Sequence, residues 1–282
     1  MDSALDPTDL RGAVVVAVDG SEDAERARRW AVDQASLEHR RLVVVSAGDR
    51  SDALVKEAVA AAQQLAHDLP VIAVAASGDP RQVLIDASAH AHLVVLGSRG
   101  RGSVRTMLLG SVSATVSAHA ACPVIVCRPT DPDRVRRGVV VGADATPESR
   151  PVLEFAYRQA SLRGLPLTVL HTYWDAAAAV AQHYQVSGAK AERPDLEDLR
   201  AILSESVAGL AETYPDVRAH ITLQHGLADE TLGTREDGWD LVVVGRHSMS
   251  TLERFLTGSI ASAVVERAHA TVAVVPVGPR SS

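Results

Sequence analysis

The sequence predicts two α/β domains in tandem, each an open, doubly wound parallel sheet. The chain repeats itself, since VVVAVDGSE at 14–22 returns as VVVGADATP at 139–147, and LVVLGSRG at 93–100 returns as LVVVGRHS at 241–248. Each copy alternates short apolar runs with longer helical patterns, which is typical of parallel strands joined by crossover helices. Aromatic residues make up 3% of the chain, so Val, Leu, Ile and Ala must fill a core that helices cover on both faces.

The first copy contains the predicted elements in strict alternation. Strands are predicted at the short runs of Val, Ile, Leu and Ala, which lie at 13–18, 42–47, 71–76, 93–97 and 123–127. Helices are predicted between them, at about 22–39, 51–68, 80–91 and 111–120. Ligands of such sheets bind beyond the carboxyl ends of the strands, where the strand order reverses. The residues that follow the first and fourth strands are therefore the first candidates for a site.

The second copy is longer than the first. The offset between the copies grows from 125 residues at the first strand to 148 at the later motifs, so we place an insertion around 174–197. The domains are predicted at 1–131 and 132–282, joined by the polar segment RPTDPDRVRRG. We expect the halves to pack through their final strands, 123–127 and 272–276, because pairing closes two open sheet edges.

The net charge and the lengths of the apolar runs disfavour several classes of protein. A net charge of −7 disfavours binding to nucleic acid or to an anionic membrane. The N-terminus lacks a basic region followed by an apolar stretch, and no apolar run reaches 18 residues. We therefore predict a cytoplasmic protein with no membrane span. If the run from Cys122 to Cys127 is extended throughout, the two thiols fall on opposite faces, which favours reduced core residues over a disulfide and leaves a redox or metal role as the minor alternative.

The strongest motif follows the fourth strand. Gly97-Ser98-Arg99-Gly100 is followed by nine residues and then by Gly110-Ser111, which opens a helix. Glycine lets the backbone approach a ligand closely, and the N–H groups of a helix N-terminus suit a phosphate. Arginines at 99, 101 and 105 add positive charge to the loop. The motif predicts a phosphate cradle without a Walker lysine; plain turn glycines and solvated arginines are the structural alternatives.

This spacing of Gly, Gly and Gly-Ser resembles the ATP-binding signature of the universal stress protein family, whose fold is Rossmann-like. The resemblance extends over nearly the whole chain and includes VVVAVDGS, the SRGRG loop, LLGSVS and CPVIV. It implies that ATP is the ligand, with Mg²⁺ between the phosphates and cyclic AMP as the alternative ligand. The nucleotide-binding residues that it implies are Asp19, Gly20, Ser21, Ala47, Gly97, Arg99, Gly100, Gly110, Ser111 and Val112.

These residues are expected to contact different parts of the nucleotide. By the resemblance, Asp19 holds the adenine or ribose side and Ala47 contacts the base. Gly97 and Gly100 approach the ribose and phosphates, while the residues from Gly110 onward bind phosphate. Asp19 also has a structural alternative, since it precedes a predicted helix and is a good helix cap.

The second half departs from this pattern. Its candidate site residues are Asp144, Gly245, Gly258, Ser259 and Ile260. Ser248 stands where the second glycine is expected, and Ala145-Thr146 replaces Gly20-Ser21. Serine disfavours positive φ and adds a side chain where backbone should meet the ligand. We predict that the second site binds nucleotide more weakly or not at all.

Several catalytic motifs are missing from the sequence. It has no Gly-x-x-x-x-Gly-Lys P-loop, no Gly-x-Ser-x-Gly elbow, no His-Glu-x-x-His zinc helix and no dedicated metal cluster. We therefore predict a non-enzymatic nucleotide sensor. The alternatives are a slow ATPase, an interaction scaffold with the same fold and no ligand, and an adenylyl-transfer or α-phosphate hydrolase enzyme. A homodimer is left open, and the protein partner and the stress signal cannot be read from the sequence.

Overall fold

The structure is a computed structural model that describes residues 6–48, 51–100, 109–129, 136–173, 195–233, 238–247 and 260–278. The strands of the first half are β1 (Val14–Ala17), β2 (Leu42–Ala47), β3 (Val71–Ala76), β4 (Leu93–Gly97) and β5 (Val124–Cys127). Those of the second half are β6 (Val139–Gly142), β7 (Leu167–Tyr173), β8 (Ala219–His225), β9 (Leu241–His247) and β10 (Thr271–Val277).

Helices alternate with these strands. The first half has α1 (Pro7–Leu10), α2 (Glu22–Leu37), α3 (Ser51–Leu65), α4 (Pro80–Ser88) and α5 (Ser111–His119). The second half has α6 (Arg150–Arg163), α7 (Leu196–Thr213), α8 (Ala228–Gly233) and α9 (Ile260–Arg267). The predicted helices 22–39, 51–68 and 80–91 each extend past the observed C-terminus. Most of the predicted insertion at 174–197 lies outside the described residues.

All described strands belong to one sheet, in the order β3-β2-β1-β4-β5-β10-β9-β6-β7-β8. Neighbours within each half are parallel, which confirms the predicted doubly wound α/β fold. The halves meet where β5 and β10 run antiparallel, with Val126 opposite Val272 and Val124 opposite Val274. These are the two final strands that the sequence analysis expects to pair.

The core forms one layer on each face of the sheet. Side chains alternate, so that Val14 and Val16 join the layer under α2, α3, α6 and α7, while Val15 joins the layer under α4, α5 and α9. Both layers contain residues from both halves. Each fully buried Val, Leu or Ile contributes about 1.5–3 kcal/mol to folding. The hydrophobic core is therefore continuous across the joint.

The two cysteines lie in these two layers. Cys127 belongs to one layer and Cys122 to the other, so they occupy opposite faces as the sequence predicts. Both are free thiols and both are buried. Burial raises the pKa of both thiols, that of Cys122 to about 12, so neither is a ready nucleophile at neutral pH.

Polar contacts cross the joint on the face of α2 and α6. Glu38, which caps the C-terminus of α2, has a buried side chain that lies 3.0 Å from Arg158 of α6. Arg163 donates a hydrogen bond of 2.7 Å to Gln34, and its guanidinium lies over the ring of Trp30 at 4.9 Å. Among the described residues, no helix is long and apolar enough to cross a membrane.

Candidate functional site

A cavity of about 440 Å³ opens at the carboxyl ends of β1, β2 and β4. Because β1 lies between β2 and β4, the chain leaves β1 at the point where the strand order reverses. Apolar side chains such as Val45, Leu84 and Leu96 form part of its wall. Of the ten residues that the sequence analysis assigns to the first half, the wall includes eight, namely Asp19, Ala47, Gly97, Arg99, Gly100, Gly110, Ser111 and Val112.

The other two residues, Gly20 and Ser21, line an adjoining groove between α2 and α3. Gly20 has a φ of 78°, which turns the chain after β1. Ser21 is the N-cap of α2, and its Oγ accepts a hydrogen bond of 3.2 Å from the N–H of Ala24. Its hydroxyl therefore caps the helix, and it also donates a hydrogen bond of 3.4 Å to the Arg99 carbonyl, which ties the start of α2 to the loop after β4.

Asp19 stands at the cavity wall directly after β1. Its Oδ1 accepts a hydrogen bond of 3.0 Å from the N–H of Ser21, which forms a tight turn. A Cβ added at Gly100 would lie 2.7 Å from Asp19 Oδ2. The glycine at position 100 therefore lets the loop after β4 approach the Asp19 carboxylate.

A glycine at position 97 makes room for the backbone of α2. A Cβ there would lie 2.6 Å from the carbonyl carbon of Asp23, in the first turn of α2. Because that neighbour is backbone, it cannot move aside without shifting the helix. The close packing of α2 on the end of β4 accounts for this glycine, even though Gly97 also lines the cavity.

The opposite wall of the cavity is the N-terminus of α5. Gly110 is its N-cap and supplies no side chain to cap the helix. The Gly110 N–H donates to the Ser98 carbonyl at 2.8 Å, and Ser113 Oγ donates to the Gly97 carbonyl at 2.7 Å. These bonds fix the helix against the loop after β4. Its first turn, Ser111 to Ser113, lines the cavity with the positive end of the helix dipole.

Asp23 ties α2 to this loop, although no sequence motif pointed to it. Its buried carboxylate accepts a hydrogen bond of 2.7 Å from Ser98 Oγ and contacts Arg99 Nε at 3.3 Å and Arg26. Burial opposes the charged form, but the Ser98 hydroxyl and the two arginines outweigh it, so the pKa of Asp23 lies below its usual value. No local signal could reveal this, since an acidic residue in a first helical turn is ordinary.

Arg99 lies at the cavity wall and is held by Asp23. The other two loop arginines, Arg101 and Arg105, lie outside the described residues. Thus the described part of the loop brings one guanidinium to the cavity, next to the N-terminus of α5.

The second half keeps the turn but not the glycine. Ala145 has a φ of 60°, at the position that corresponds to Gly20. Asp144 Oδ1 accepts hydrogen bonds from the N–H of Thr146 at 3.0 Å, from Thr146 Oγ1 at 2.7 Å and from Ser149 Oγ. One N–H group and two hydroxyls of its own turn thus surround the Asp144 carboxylate.

The remaining second-half candidates are only partly described. Gly245 lies in β9, and Ile260 is the exposed first residue of α9. Gly258, Ser259 and Ser248 lie outside the described residues. The structure therefore neither assembles nor excludes a second cavity of the predicted composition.

Comparison with known proteins gives concordant matches over both halves. The model of the universal stress protein family matches residues 11–128 and 136–276. A universal stress protein of Mycolicibacterium smegmatis is 32% identical over 288 aligned positions, which cover 93% of this chain and 96% of the relative. One from Mycobacterium tuberculosis is 30% identical over 292 positions, with 93% and 96% covered. The crystal structure of a universal stress protein from Archaeoglobus fulgidus matches with a TM-score of 0.63 at 19% identity, covers 94% of this chain and 96% of that one, and shows the fold alone.

Proposed function

The chain belongs to the universal stress protein family, and from this membership we propose that its first half binds an adenine nucleotide, with ATP preferred. The observation that carries the proposal is the cavity after β1 and β4. Its volume of about 440 Å³ is within the range of small-molecule sites. One wall is apolar, and the other is an uncapped helix N-terminus beside an arginine. An adenine nucleotide likewise has a largely apolar base at one end and anionic phosphates at the other.

The orientation of the nucleotide follows from the two walls. We place the base against Ala47 and Leu84, and the ribose hydroxyls at the Asp19 carboxylate. The phosphates then meet the first turn of α5 and the guanidinium of Arg99, where backbone N–H groups and positive charge favour an anion. Cyclic AMP would use the same walls with a shorter reach toward α5.

Mg²⁺ would accompany ATP through the phosphate oxygens. Within the described ranges there is no group of three or more His, Cys, Asp or Glu side chains that could hold a metal ion. In this proposal the nucleotide brings the ion, and the protein would contribute at most the hydroxyl of Ser111.

We propose binding without rapid turnover. In the proposed orientation the Asp19 carboxylate meets the ribose while the phosphates lie at α5, so this carboxylate is not placed to activate a water for attack on a phosphate. A nucleotide sensor needs only that the bound and empty states differ. The pairing of β5 with β10 would then reproduce, within one chain, the dimer of single-domain relatives.

Calorimetric titration with ATP and with cyclic AMP tests the proposal. We expect one strong site per chain, because the altered motif of the second half should weaken the other. Gly110→Ala should lower ATP affinity about ten-fold, or about 1.4 kcal/mol. The new methyl group would lie 3.4 Å from Arg99 Cα and Ser98 O, which the fold can accommodate.

The controls separate ligand loss from misfolding. Gly209→Ala places a methyl group on α7 where no atom lies within 4 Å, so it should leave ATP binding unchanged. Gly97→Ala should impair folding itself, because its methyl group would meet the backbone of α2. Absence of binding by either nucleotide at millimolar concentration would favour a scaffold without ligand. Multiple-turnover release of ADP would favour the ATPase alternative.

A further inference from the structure

Arg246 reaches from the second half into the first. It follows Gly245 in β9, so its backbone belongs to the altered glycine motif. Its Nη1 donates to the Ala118 carbonyl at 2.9 Å, and its Nη2 donates to the Ala120 carbonyl. Both carbonyls are at the carboxyl end of α5. The guanidinium therefore supplies the charge and donors that a helix C-terminus favours, across the joint.

A second arginine makes the reverse connection. Arg128, which follows β5 and is buried, donates from Nη2 to the Glu266 carbonyl at 2.9 Å and to the Val265 carbonyl. These two carbonyls lie in the last turn of α9. Each half thus holds the C-terminus of the helix that follows the glycine motif of the other half.

These contacts were not simply duplicated with the domains. With the offset of 148 residues, Arg246 corresponds to Ser98, and Arg128 corresponds to Pro276. Ser98 donates its hydroxyl to Asp23 within its own half. At the corresponding position the second half has Arg246, which bonds to the carboxyl end of α5 of the first half.

The helix α5 connects the Arg246 contact to the cavity. It is nine residues long, so its ends are only about 13 Å apart. Its N-terminus lines the cavity and is fixed to the loop after β4 through Gly110 and Ser113. A small cavity beside Arg246 is lined by Ala114 and Ser117 of α5 and by Val265 of α9, which places the arginine between the two helices. A shift of either end must move a rigid helix as a whole.

We propose that Arg246 is a positioning residue for the nucleotide site of the first half. By holding the C-terminus of α5, Arg246 of β9 sets the position of the phosphate-binding N-terminus of this helix. The inference rests on the proposed nucleotide binding. It assigns to the second half a role that does not require a ligand of its own.

The test compares ATP with adenosine, because adenosine does not reach α5. Arg246→Ser installs the residue of the first half, and we expect it to weaken ATP binding about five-fold or more. Adenosine affinity should stay within two-fold, and Arg246→Lys should restore part of the ATP affinity. The matched control is Arg267→Ser on α9, since Arg267 is half exposed and pairs with Asp229 in its own half; it should leave both affinities unchanged.

Two results would overturn the proposal. One is an ATP affinity of Arg246→Ser within two-fold of the wild type. The other is an equal loss of ATP and adenosine affinity, which would indicate general destabilisation. If the wild type binds neither ligand, nucleotide binding itself fails, and hydrogen exchange of the α5 amides decides. Faster exchange in Arg246→Ser than in Arg267→Ser would then support the positioning of α5, and equal exchange would refute it.

Discussion

Gly20 and Ala145 occupy corresponding positions in the two halves and share left-handed backbone, with φ of 78° and 60°. The turn after β1 and its counterpart after β6 both require this conformation, because each aspartate accepts the N–H of the residue two positions on. For alanine the left-handed region is strained by roughly 1–2 kcal/mol. The second half forms the same turn with a residue that adopts this conformation only under strain.

Ala145→Gly should therefore stabilise the protein. The relief of strain exceeds the extra entropy of glycine in the unfolded chain, and we expect a gain of about 0.5–1 kcal/mol. Gly20→Ala should have the opposite sign and cost about 1 kcal/mol. Denaturant unfolding monitored by circular dichroism measures both. A lower midpoint for Ala145→Gly would show that the alanine methyl group contributes packing that outweighs the strain.

The glycine motif shows how far single residues can be predicted from sequence. Spacing predicted that Gly97, Gly100 and Gly110 would come together at one cavity. The spacing could not show why each position is a glycine. Gly97 makes room for the backbone of α2, whereas Gly100 makes room for Asp19. Nor could the spacing reveal Asp23, whose partner Ser98 lies 75 residues further on. Such contacts depend on how a helix and a loop meet in three dimensions.

At the scale of elements, α2 ends in a cluster of charges. The buried carboxylate of Glu38 lies 2.8 Å from His92, 3.2 Å from Arg40 and 3.0 Å from Arg158. Burial opposes ionisation, but His92 and the two arginines outweigh it, so the pKa of Glu38 lies below its usual value of 4.5. The end of α2 is thereby fixed both to the start of β4 and to α6 of the other half.

This cluster predicts how stability changes in acid. A carboxyl whose pKa is lowered by folding contributes stability above about pH 4.5, and this contribution is lost as the pH falls through the lower folded value. Glu38→Gln should lower the free energy of unfolding at pH 7 by about 2 kcal/mol, since Arg40 and Arg158, whose side chains are 31% and 35% exposed, lose a charged acceptor. It should also flatten the decline of stability below pH 4.5. Glu212→Gln, at an exposed position of α7, is the control and should change neither.

At the scale of the whole molecule, both hydrophobic layers run across the joint between β5 and β10. Four side chains add to this joint on the two faces of the sheet, with Arg128 and Arg246 on one and Arg158 and Arg163 on the other. Unfolding one half would expose the core of its neighbour and leave an open strand edge.

We therefore expect the two halves to unfold together. Scanning calorimetry should give one transition, with a ratio of calorimetric to van't Hoff enthalpy of about 1. Independent halves would give a ratio near 2 or two resolved peaks. Arg163→Ala removes the contacts with Gln34 and Trp30, and it should lower the midpoint without splitting the transition. A split transition in the wild type would contradict a shared core.

The sequence predicted more of the molecule within each half than between the halves. Repetition and alternation were enough for the strands and for their doubly wound order, and the joint at the final strands was expected from the pairing of open sheet edges. The arginine contacts across the joint carry no local signal, since Arg246 and its acceptors in α5 are more than 120 residues apart. An arginine near the end of a strand, such as Arg246, is equally compatible with an exposed side chain and with one that contacts a distant helix end.

The antiparallel joint between β5 and β10 also bears on how two duplicated domains diverge. When two identical copies associate about a two-fold axis, every substitution occurs in both copies. The interface must then accommodate it on both sides at once. Here each half always meets a different partner, tethered in the same polypeptide. A residue such as Arg246 can then form a contact across the joint while the corresponding position of the other half, Ser98, forms a different one. Joining the copies in one chain thus allows a substitution in one domain whose contacts are made only with the other domain.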